Sequence, residues 1–414
     1  IPGAAASFNA SALLDCLENP KYGTWEYHKN AKPLYDPTIN ALRSEGYTVH
    51  EFLYDWRRPI TTNVDRLRAF IHARVPTGNF NILGHSMGGL IARNYLEQEK
   101  SSSRVDKLLT VGSPHEGVVN AYYAWSGGVI YDPDIQFKGF LTLIQAACMA
   151  TKKVTPFQAI RTYLPSTSDI LPTFPYLEKN GSYIPISSMS IHSTWVKDSD
   201  FTNPYFHTKT GSIVGYQVPT SSSIVVRNPS KLEQRQGIWL DGKPTGNPKT
   251  NVDGDGTVLM TSANGPGNLY EIESATHGQL LSDTTSVRDI IRFFSDQSVS
   301  PLRSIQPTHR TPTPQSITSL LMFAGADMSF TIIDPTFHMH RDINGLVQIE
   351  NPTKGIYRIL VLPKSRNTHI MAGIITEEDV KWKDYSFSNR FPKFKTLMYD
   401  PKKLPKEDHS EERE

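Results

Sequence analysis

The sequence predicts an α/β fold in which a parallel sheet covered by helices carries a large cap insertion and is followed by a small all-β sandwich-like domain. Three observations predict this fold. Strand-like and helix-like segments alternate over most of the first 300 residues or so. The alternation breaks between about residues 115 and 250. After residue 298, short strand-like runs follow one another without helical segments between them.

The alternation starts early in the chain. Residues 49–54 have the pattern of a strand, and residues 63–75 that of a helix with its apolar side chains on one face. A short buried strand over residues 80–83, a helix over 87–98 and a strand over 108–111 follow. Because successive parallel strands need a crossover connection, usually a helix, this order predicts a parallel sheet.

The segment over residues 115–250 is rich in Tyr, Ser, Thr, Pro and Gly, which predicts a long insertion that acts as a cap. The sheet pattern resumes at residues 256–258 and 269–272, and a final amphipathic helix follows. The first domain is therefore expected to span residues 1–297.

A change of composition separates this domain from the rest of the chain. Residues 298–317 contain four prolines among Ser, Thr and Gln, which is typical of a linker. Residues 328–332 then alternate apolar and polar side chains, as a strand with one buried face requires, and 356–362 form a similar run. We predict an all-β domain over residues 318–414 that ends in a charged tail.

Bulk properties exclude few classes of protein. The formal net charge of +2 predicts no nucleic-acid partner. Cys16 and Cys148 are far apart and match no metal or redox spacing, so we expect them to be unpaired. No apolar run is long enough to span a bilayer. The chain begins with Ile1 rather than Met, so we expect a processed protein or a fragment, and we favour a secreted or membrane-peripheral location.

A serine is the candidate nucleophile. Residues 84–88 read G-H-S-M-G, which fits G-x-S-x-G, and Gly89 follows. The motif lies between a predicted strand and a predicted amphipathic helix, where small residues allow the backbone to turn sharply. A glycine-rich turn met by chance would not require that strand and helix, so we assign Ser86 as the nucleophile. His85 is expected to point away from the reacting centre and to be structural.

The candidate acid lies after the cap. A serine hydroxyl needs a base, and the base needs a carboxylate to fix its tautomer. Residues 251–258 read N-V-D-G-D-G-T-V and precede a strand-like run. Asp255 is the preferred acid and Asp253 the alternative. The loop also resembles the opening of a calcium loop, but Ser262 stands where that loop needs a glutamate, so no metal is expected.

His277 is the candidate base. It follows the predicted strand over residues 269–272 and precedes the last helix, and the chain order Ser, Asp, His is the one expected for this turn. The chain has 13 histidines. Those in the cap precede the acid, and those after residue 298 fall in the linker, the β domain or the tail, so His277 fits best.

The oxyanion of a tetrahedral intermediate needs two amide donors. Met87, the residue after the nucleophile, is expected to supply one. The small-residue loop over residues 2–7 is the candidate for the other, with Ala5 preferred and Ala4 second. The alternative is that this loop is a disordered terminus, since the strand that should lead into it is almost absent.

Taken in order, these motifs resemble the lecithin:cholesterol acyltransferase-like lipases and phospholipases. The resemblance covers about residues 1–296, and the Tyr-Asp-Trp-Arg run is its most specific signal. The β domain lies outside it. The matching segments are residues 2–7, 54–59, 84–89, 112–117, 171–177, 254–258 and 277–278.

The resemblance implies an α/β-hydrolase sheet with a cap that cleaves or transfers fatty acyl groups. Carried over by position, it implies a triad of Ser86, Asp255 and His277 with Met87 and Ala5 as oxyanion donors. It also implies a structural role for Arg57 beside the acyl pocket. Ala6 stands where the family often has glycine, a departure that bears on the second oxyanion donor.

We therefore predict a serine lipid acyl hydrolase or acyltransferase that needs no cofactor. Its substrate is a lipid or other ester, and its cap is expected to contact a lipid or membrane surface. Aromatic residues of the cap suit either an acyl chain or the cap's own core: Tyr122, Tyr123, Trp125, Phe137 and Phe140. The alternatives are an esterase for small soluble esters and a binding protein on a degenerate hydrolase scaffold. The oligomeric state is not predicted.

Overall fold

A computed structural model of the chain describes residues 1–17, 24–99, 104–193, 209–295, 318–325, 327–366, 368–376, 380–388 and 390–400. The predicted linker and the charged tail from residue 401 lie outside these described residues. The contacts divide the chain into two compact units. The first unit contains Ile1–Ser7, Trp25–Tyr131 and Ile160–His309, and the second contains Phe8–Thr24, Asp132–Ala159 and Arg310–Glu414.

Helices and strands of the described residues are numbered here in chain order. The helices are α1 Ala10–Leu14, α2 Lys32–Ser44, α3 Ile60–Arg74, α4 Met87–Glu99, α5 Ala121–Gly127, α6 Ile135–Lys152, α7 Pro156–Tyr163, α8 Ser166–Asp169, α9 Lys231–Arg235, α10 Met260–Ala263 and α11 Thr284–Phe294. The strands of the first 300 residues are β1 Ser7–Phe8, β2 Glu26–Tyr27, β3 Phe80–His85, β4 Val105–Val111, β5 Leu177–Lys179, β6 Ser182–Tyr183, β7 Thr210–Tyr216, β8 Thr220–Arg227, β9 Lys243–Pro244, β10 Lys249–Asn251 and β11 Asn268–Glu273. The remaining strands are β12 Ser319–Ala324, β13 Met328–Ile333, β14 Met339–Arg341, β15 Leu346–Glu350, β16 Gly355–Pro363, β17 Thr368–Ile375, β18 Val380–Phe387 and β19 Lys393–Tyr399.

A parallel sheet in the order β11-β7-β4-β3 is the centre of the first unit. Ile1 is hydrogen-bonded to the edge strand β3. Its amino group donates to the Leu83 carbonyl at 2.8 Å, and its carbonyl accepts from the His85 N–H at 3.0 Å. Ile290 and Phe293 of α11 pack into the same apolar core as the inner strands. The predicted parallel α/β sheet is confirmed.

Two predicted strands and the extent of the predicted cap differ from the structure. Residues 49–54 join no sheet in the described part of the chain. Residues 256–258 also form no strand, and the nearby pairings are isolated bridges such as Val218 with Asp255. The range predicted as cap, 115–250, contains β7, which pairs with β4 and β11 in the central sheet. Glycine, serine and threonine interrupt the apolar residues of β7, so its sequence gives a weak strand signal.

The aromatic residues near the start of the cap form a core of their own. Tyr122 and Tyr123 are buried together with Tyr176 and Trp239. The Tyr122 hydroxyl donates to the Gly242 carbonyl at 2.7 Å, which satisfies it away from water. Of the two interpretations left open by the sequence, the structure therefore favours the cap's own core for these two tyrosines.

The second unit contains a β-sandwich, as the sequence predicts. Its antiparallel sheets have the strand orders β15-β12-β17-β18 and β14-β13-β16-β19. Alternate side chains of both sheets form one buried core that includes Met322, Phe330, Tyr357 and Ile370. The strands continue to Tyr399, further along the chain than the run recognised in the sequence.

Two segments distant in sequence also belong to the second unit, namely α1 and α6. α6 packs on β17 and β18, and Gly139 of α6 lies so close to Ile375 that a Cβ there would meet the isoleucine at 2.4 Å. Cys16 and Cys148 form a disulfide with 5.2 Å between their Cα atoms. The expectation of unpaired cysteines is therefore wrong, because a sequence separation of 132 residues says nothing about distance in the fold.

The predicted domain boundaries do not account for this grouping. A chain that ended near residue 297 would lack the strands against which α6 packs.

Within the described residues, no helix is both long and apolar enough to cross a bilayer.

Candidate active site

The turn at Ser86 joins β3 directly to α4. Ser86 has a φ of 53°, a left-handed conformation that costs free energy for a residue with a side chain. Its N–H donates to the Val111 carbonyl at the end of β4 at 2.9 Å. The backbone strain is therefore held at the carboxyl edge of the central sheet, and the helix that begins at Met87 starts immediately beside the serine.

Glycines make this turn possible. A Cβ at Gly84 would lie 2.5 Å from the Cα of Gly89, so the strand and the helix approach too closely for any side chain there. A Cβ at Gly88 would lie 2.4 Å from the carbonyl oxygens of Ile1 and Pro2. The spacing of small residues in the motif thus follows from direct backbone contact.

The predicted acid and base are hydrogen-bonded to each other. The Asp255 Oδ2 lies 2.7 Å from the His277 Nδ1. The Asp255 Oδ1 accepts the backbone N–H groups of Thr257 at 3.0 Å and Val258 at 2.7 Å. The Asp255 side chain is 1 % exposed, whereas Asp253 is exposed. This arrangement suits a histidine with its proton on Nδ1 and with Nε2 as the basic nitrogen.

Ser86, Asp255 and His277 are brought to one edge of the sheet. Gly112 follows Val111, and a Cβ at Gly112 would lie 3.1 Å from both the Asp255 Oδ2 and the His277 ring. The ring of His85, the neighbour of Ser86, lies 4.8 Å from the His277 ring between centroids. These contacts place the three predicted residues around the carboxyl ends of β3 and β4, where open parallel α/β sheets bind ligands.

The loop over residues 2–7 lies against the candidate nucleophile. A Cβ at Gly3 would lie 2.8 Å from the Ser86 Cβ. Ala5 is buried and has a φ of 59°. Met87 is also buried, at the first position of α4. Both predicted oxyanion donors are thus residues of segments that border Ser86.

The Tyr-Asp-Trp-Arg run braces this loop. The Tyr54 hydroxyl donates to the Pro2 carbonyl at 2.9 Å, and the Trp56 Nε1 donates to the Ser7 carbonyl at 2.9 Å. Arg57 and Asp55 form a buried ion pair through two contacts of 2.8 Å. The run therefore holds the loop beside Ser86 by hydrogen bonds, and Arg57 takes part in an ion pair within the run.

A buried hydrogen-bond chain that sequence reasoning missed links the loop to the base. The Gly3 N–H donates to the Tyr35 hydroxyl at 2.9 Å, and that hydroxyl lies 2.8 Å from the His85 Nδ1. The His85 Nε2 lies 3.2 Å from the His277 carbonyl oxygen. Burial first, and the neighbouring His277 second, lower the pKa of His85 well below its usual value. A neutral His85 with its proton on Nε2 satisfies every member of the chain.

His85 does not simply point away from the site, because its ring joins two of its segments. Tyr35 lies on α2, 50 residues from His85. No motif in the sequence connects the two residues, so spacing alone offered no signal for Tyr35.

A cavity of about 510 Å³ lies in the first unit among α2, α3 and β3, and Tyr35 and His85 are part of its lining. Its lining is mainly apolar and includes Ile39, Leu42 and Phe70. Ser86, Asp255 and His277 are absent from that lining, so we assign no part of the chemistry to this cavity.

Among the described residues, no group of three or more His, Cys, Asp or Glu is arranged to hold a metal ion.

The parallel sheet, the strained serine between strand and helix, and the buried aspartate–histidine pair have the arrangement of an α/β-hydrolase fold. Residues 45–167 match the palmitoyl protein thioesterase family. That range includes the Ser86 turn but neither Asp255 nor His277. The more specific resemblance to lecithin:cholesterol acyltransferase-like enzymes stays a prediction. No curated protein matches the chain significantly in sequence.

Solved structures with a similar arrangement have low sequence identity to this chain. Phospholipase PlaB from Legionella pneumophila is 11 % identical, with a TM-score of 0.37 and coverage of 89 % of each chain. The lipase BlEst2 from Bacillus licheniformis in its propeptide form is 10 % identical, with a TM-score of 0.33 and coverage of 97 % of this chain and 93 % of that one. The mature form of that lipase is 12 % identical, with a TM-score of 0.33 and coverage of 70 % and 88 %.

Proposed function

We propose that this chain is a serine hydrolase that cleaves fatty acyl esters of lipids through an acyl-enzyme. Ser86 is the nucleophile, His277 the general base and Asp255 the carboxylate that orients it. The observation that carries the proposal is the 2.7 Å contact between Asp255 and His277 beside the strained Ser86 turn. An aspartate that is 1 % exposed and fixed by two backbone N–H groups suits a carboxylate that stabilises an imidazolium.

The chemistry follows from these positions. As the Ser86 Oγ attacks the acyl carbonyl carbon, His277 takes the hydroxyl proton at Nε2. The N–H groups of Met87 and Ala5 hold the negative oxygen of the intermediate. His277 then gives the proton to the leaving alcohol, and an acyl group remains on Ser86. Water releases the fatty acid, and an alcohol in place of water gives acyl transfer.

A second candidate substrate is an acyl thioester. The match of residues 45–167 to the palmitoyl protein thioesterase family favours it. The acyl carbonyl is attacked in the same way, and a thiol leaves in place of an alcohol. Parallel assays with one fatty acyl chain, presented as an oxygen ester and as a thioester, distinguish the two substrates.

Acyl chain length provides the test of the lipid substrate. Each methylene buried in an apolar site contributes about 0.8 kcal/mol, which corresponds to about fourfold in kcat/KM per methylene until the site is full. We expect kcat/KM to rise from short to medium acyl chains, with a further gain when the ester is presented in micelles as the cap opens at the interface. The measurement is hydrolysis of a series of acyl esters below and above the critical micelle concentration, with and without an alcohol acceptor.

Two results would replace this proposal by an alternative. Rates that peak at the shortest acyl chains and ignore the interface would identify an esterase for small soluble esters. Failure of a fluorophosphonate probe to label any serine of the folded chain would favour a binding protein on a hydrolase scaffold. The sequence favours a secreted or membrane-peripheral location. Of these two, the disulfide between Cys16 and Cys148 supports the secreted one, since disulfides persist in oxidising compartments.

Tyr35 is proposed as a positioning residue for the site. Replacing Tyr35 by Phe removes the hydroxyl shared by the Gly3 N–H and the His85 Nδ1 and leaves both buried groups unpaired. Such a loss costs about 1–3 kcal/mol, so we expect kcat to fall by about ten- to a hundredfold with little change in KM. Steady-state kinetics on a soluble ester measure this effect.

Tyr123→Phe is the matched control for Tyr35→Phe. The Tyr123 hydroxyl is likewise hydrogen-bonded, since it donates to the Gly246 carbonyl at 2.8 Å, but it belongs to the aromatic core of the cap. Similar losses of stability with a loss of kcat only at Tyr35 support the positioning role. Equal kcat in both variants would show that the hydrogen-bond chain does not act on the site.

A further inference from the structure

The outer faces of the two sandwich sheets differ in the second unit. α6 packs on β17 and β18, and a Cβ at Gly373 of β17 would meet the Leu143 side chain of α6 at 2.4 Å. The other sheet, β14-β13-β16-β19, has no such helix among the elements described in this unit. Its outward side chains include large apolar residues, and we call this surface the outer face.

The outer face is apolar and continuous across strands. Register places Ile356 opposite Met398 and Leu360 opposite Phe394 on neighbouring strands, so their side chains lie side by side. Inward-pointing partners such as Tyr357 and Ile359 fill the core, which leaves the alternate positions directed outward. Exposed side chains of this face, with their exposed fractions, are Phe337 75 %, Met339 60 %, Ile356 41 %, Leu362 42 %, Phe394 70 % and Met398 42 %.

The charges on the outer face are all positive. Arg341 lies opposite Thr331, and Arg358 lies opposite Thr396, both at outward positions. No Asp or Glu occupies an outward position of these four strands, every one of which is described. The Arg358 guanidinium lies 5.9 Å from the centre of the Phe337 ring, so cation and aromatic side chain occupy one surface.

The surroundings add further cations at one end of the sheet. Lys364, Arg366, Arg390 and Lys393 are exposed near the end where Val361 pairs with Lys393. The neighbouring carboxylates accept hydrogen bonds or form an ion pair within the chain. Asp334 accepts from His340 and two backbone N–H groups, Asp342 from the Phe330 N–H, Asp327 from Ser365, and Asp400 pairs with Lys354.

We propose that the outer face docks the chain on a lipid surface that carries anionic head groups. Exposed aromatic and aliphatic side chains rimmed by polar groups mark interaction sites, and here the polar groups are cations. Arg341 and Arg358 complement lipid phosphates, while Phe337 and Phe394 enter the interfacial layer. A second copy docked through the same face would bring like charges together, which disfavours self-association. This binding extends the proposed function and requires none of its chemistry.

Vesicle sedimentation of the full chain tests the proposal. The probes are vesicles of phosphatidylcholine alone and vesicles with about a third phosphatidylglycerol, at low and high salt. We expect the chain to sediment with the anionic vesicles and to be released as salt shortens the Debye length below about 10 Å. Binding to phosphatidylcholine alone is expected to be weaker by about an order of magnitude or more, since each cation contributes about fivefold.

Variants on the outer face locate the contact. Phe337→Ser with Phe394→Ser is expected to lower partitioning to both vesicles by about tenfold or more, through loss of apolar burial. Arg341→Gln with Arg358→Gln is expected to lower it by about tenfold or more on anionic vesicles only. The control combines Leu232→Ser and Arg235→Gln on α9 of the first unit, an exposed apolar residue and an exposed cation outside the face.

The outcomes separate this proposal from the enzymatic one. Ser86→Ala is expected to bind vesicles as the unaltered chain does, and the outer-face variants are expected to keep hydrolysis of a soluble short-chain ester. Lack of sedimentation with anionic vesicles at low salt overturns the proposal, and so does binding that is equal in the face variants and the control. A dimer in solution that Phe337→Ser with Phe394→Ser converts to a monomer would also overturn it, by showing that a second copy occupies the face.

Discussion

Replacement of Ser86 by alanine is expected to lower kcat for a soluble acyl ester by about four orders of magnitude or more. The variant keeps the oxyanion donors and the substrate site but has no oxygen that can form the acyl-enzyme. Alanine removes a single atom from a residue at a φ of 53°, so the turn and the sheet should remain intact. Steady-state kinetics and thermal unfolding of the two proteins measure the effect.

Ser113→Ala is the matched control for this experiment. Ser113 is also buried, and it lies beside the same turn, since a Cβ at Gly89 would meet its hydroxyl. Its Oγ has no hydrogen-bond partner among the described residues, so its removal should leave kcat within about tenfold, because loss of an unpaired hydroxyl breaks no bond. A Ser86→Ala variant with a tenth of the original activity, or one that a fluorophosphonate probe still labels, would remove Ser86 from the mechanism.

Most of the sequence signals for the candidate site are local. Ser86 lies in a turn whose strand, glycines and helix are contiguous along the chain. Asp255 lies in a recognisable loop, and His277 follows a predicted strand. The chain order Ser, Asp, His, which is expected for this fold, selects both residues as partners of Ser86. The structure brings Asp255 and His277 into contact at 2.7 Å without any change of assignment.

Features that depend on distant contacts were missed. Tyr35 reaches His85 from a helix that carries no motif, and nothing in either segment indicates the other. Cys16 lies just after α1, and Cys148 lies in α6. The two segments are far apart in sequence but belong to the same unit of the fold, where the two cysteines form a disulfide. The apolar residues of α6 do not indicate which sheet covers them, so the segment was included in the predicted cap.

The regularity of the apolar and polar pattern explains which other strands the sequence predicted and which it missed. β7 was hidden because two glycines and a serine surround Ile213 and Val214, which leaves little alternation for a strand pattern to detect. Residues 49–54 have strand-like side chains, yet strand propensity alone does not supply a neighbouring strand. The strand β13 was easier to predict, because buried apolar residues alternate with Ser and Thr along most of it.

A comparison of Asp255→Asn with Asp253→Asn is expected to identify the acid. In Asp255→Asn the amide oxygen should stay on the N–H groups of Thr257 and Val258, which turns the amide NH₂ towards the His277 Nδ1. That nitrogen must then accept, so the proton moves to Nε2 and the ring can no longer take the proton of Ser86. We expect kcat to fall by about four orders of magnitude, the effect of a wrong tautomer.

Asp253→Asn is the matched control because it changes the same atom type in the same loop. Asp253 is exposed, and the Met260 N–H binds its backbone carbonyl at 2.8 Å rather than its carboxylate. We expect its kcat to stay within about threefold of the original, since substitutions at exposed positions have small effects. Kinetics of both variants on one soluble ester, with circular dichroism to verify the fold, decide the assignment. A larger loss of kcat at position 253 would transfer the role of acid to Asp253, and equal losses would show that neither carboxylate alone orients His277.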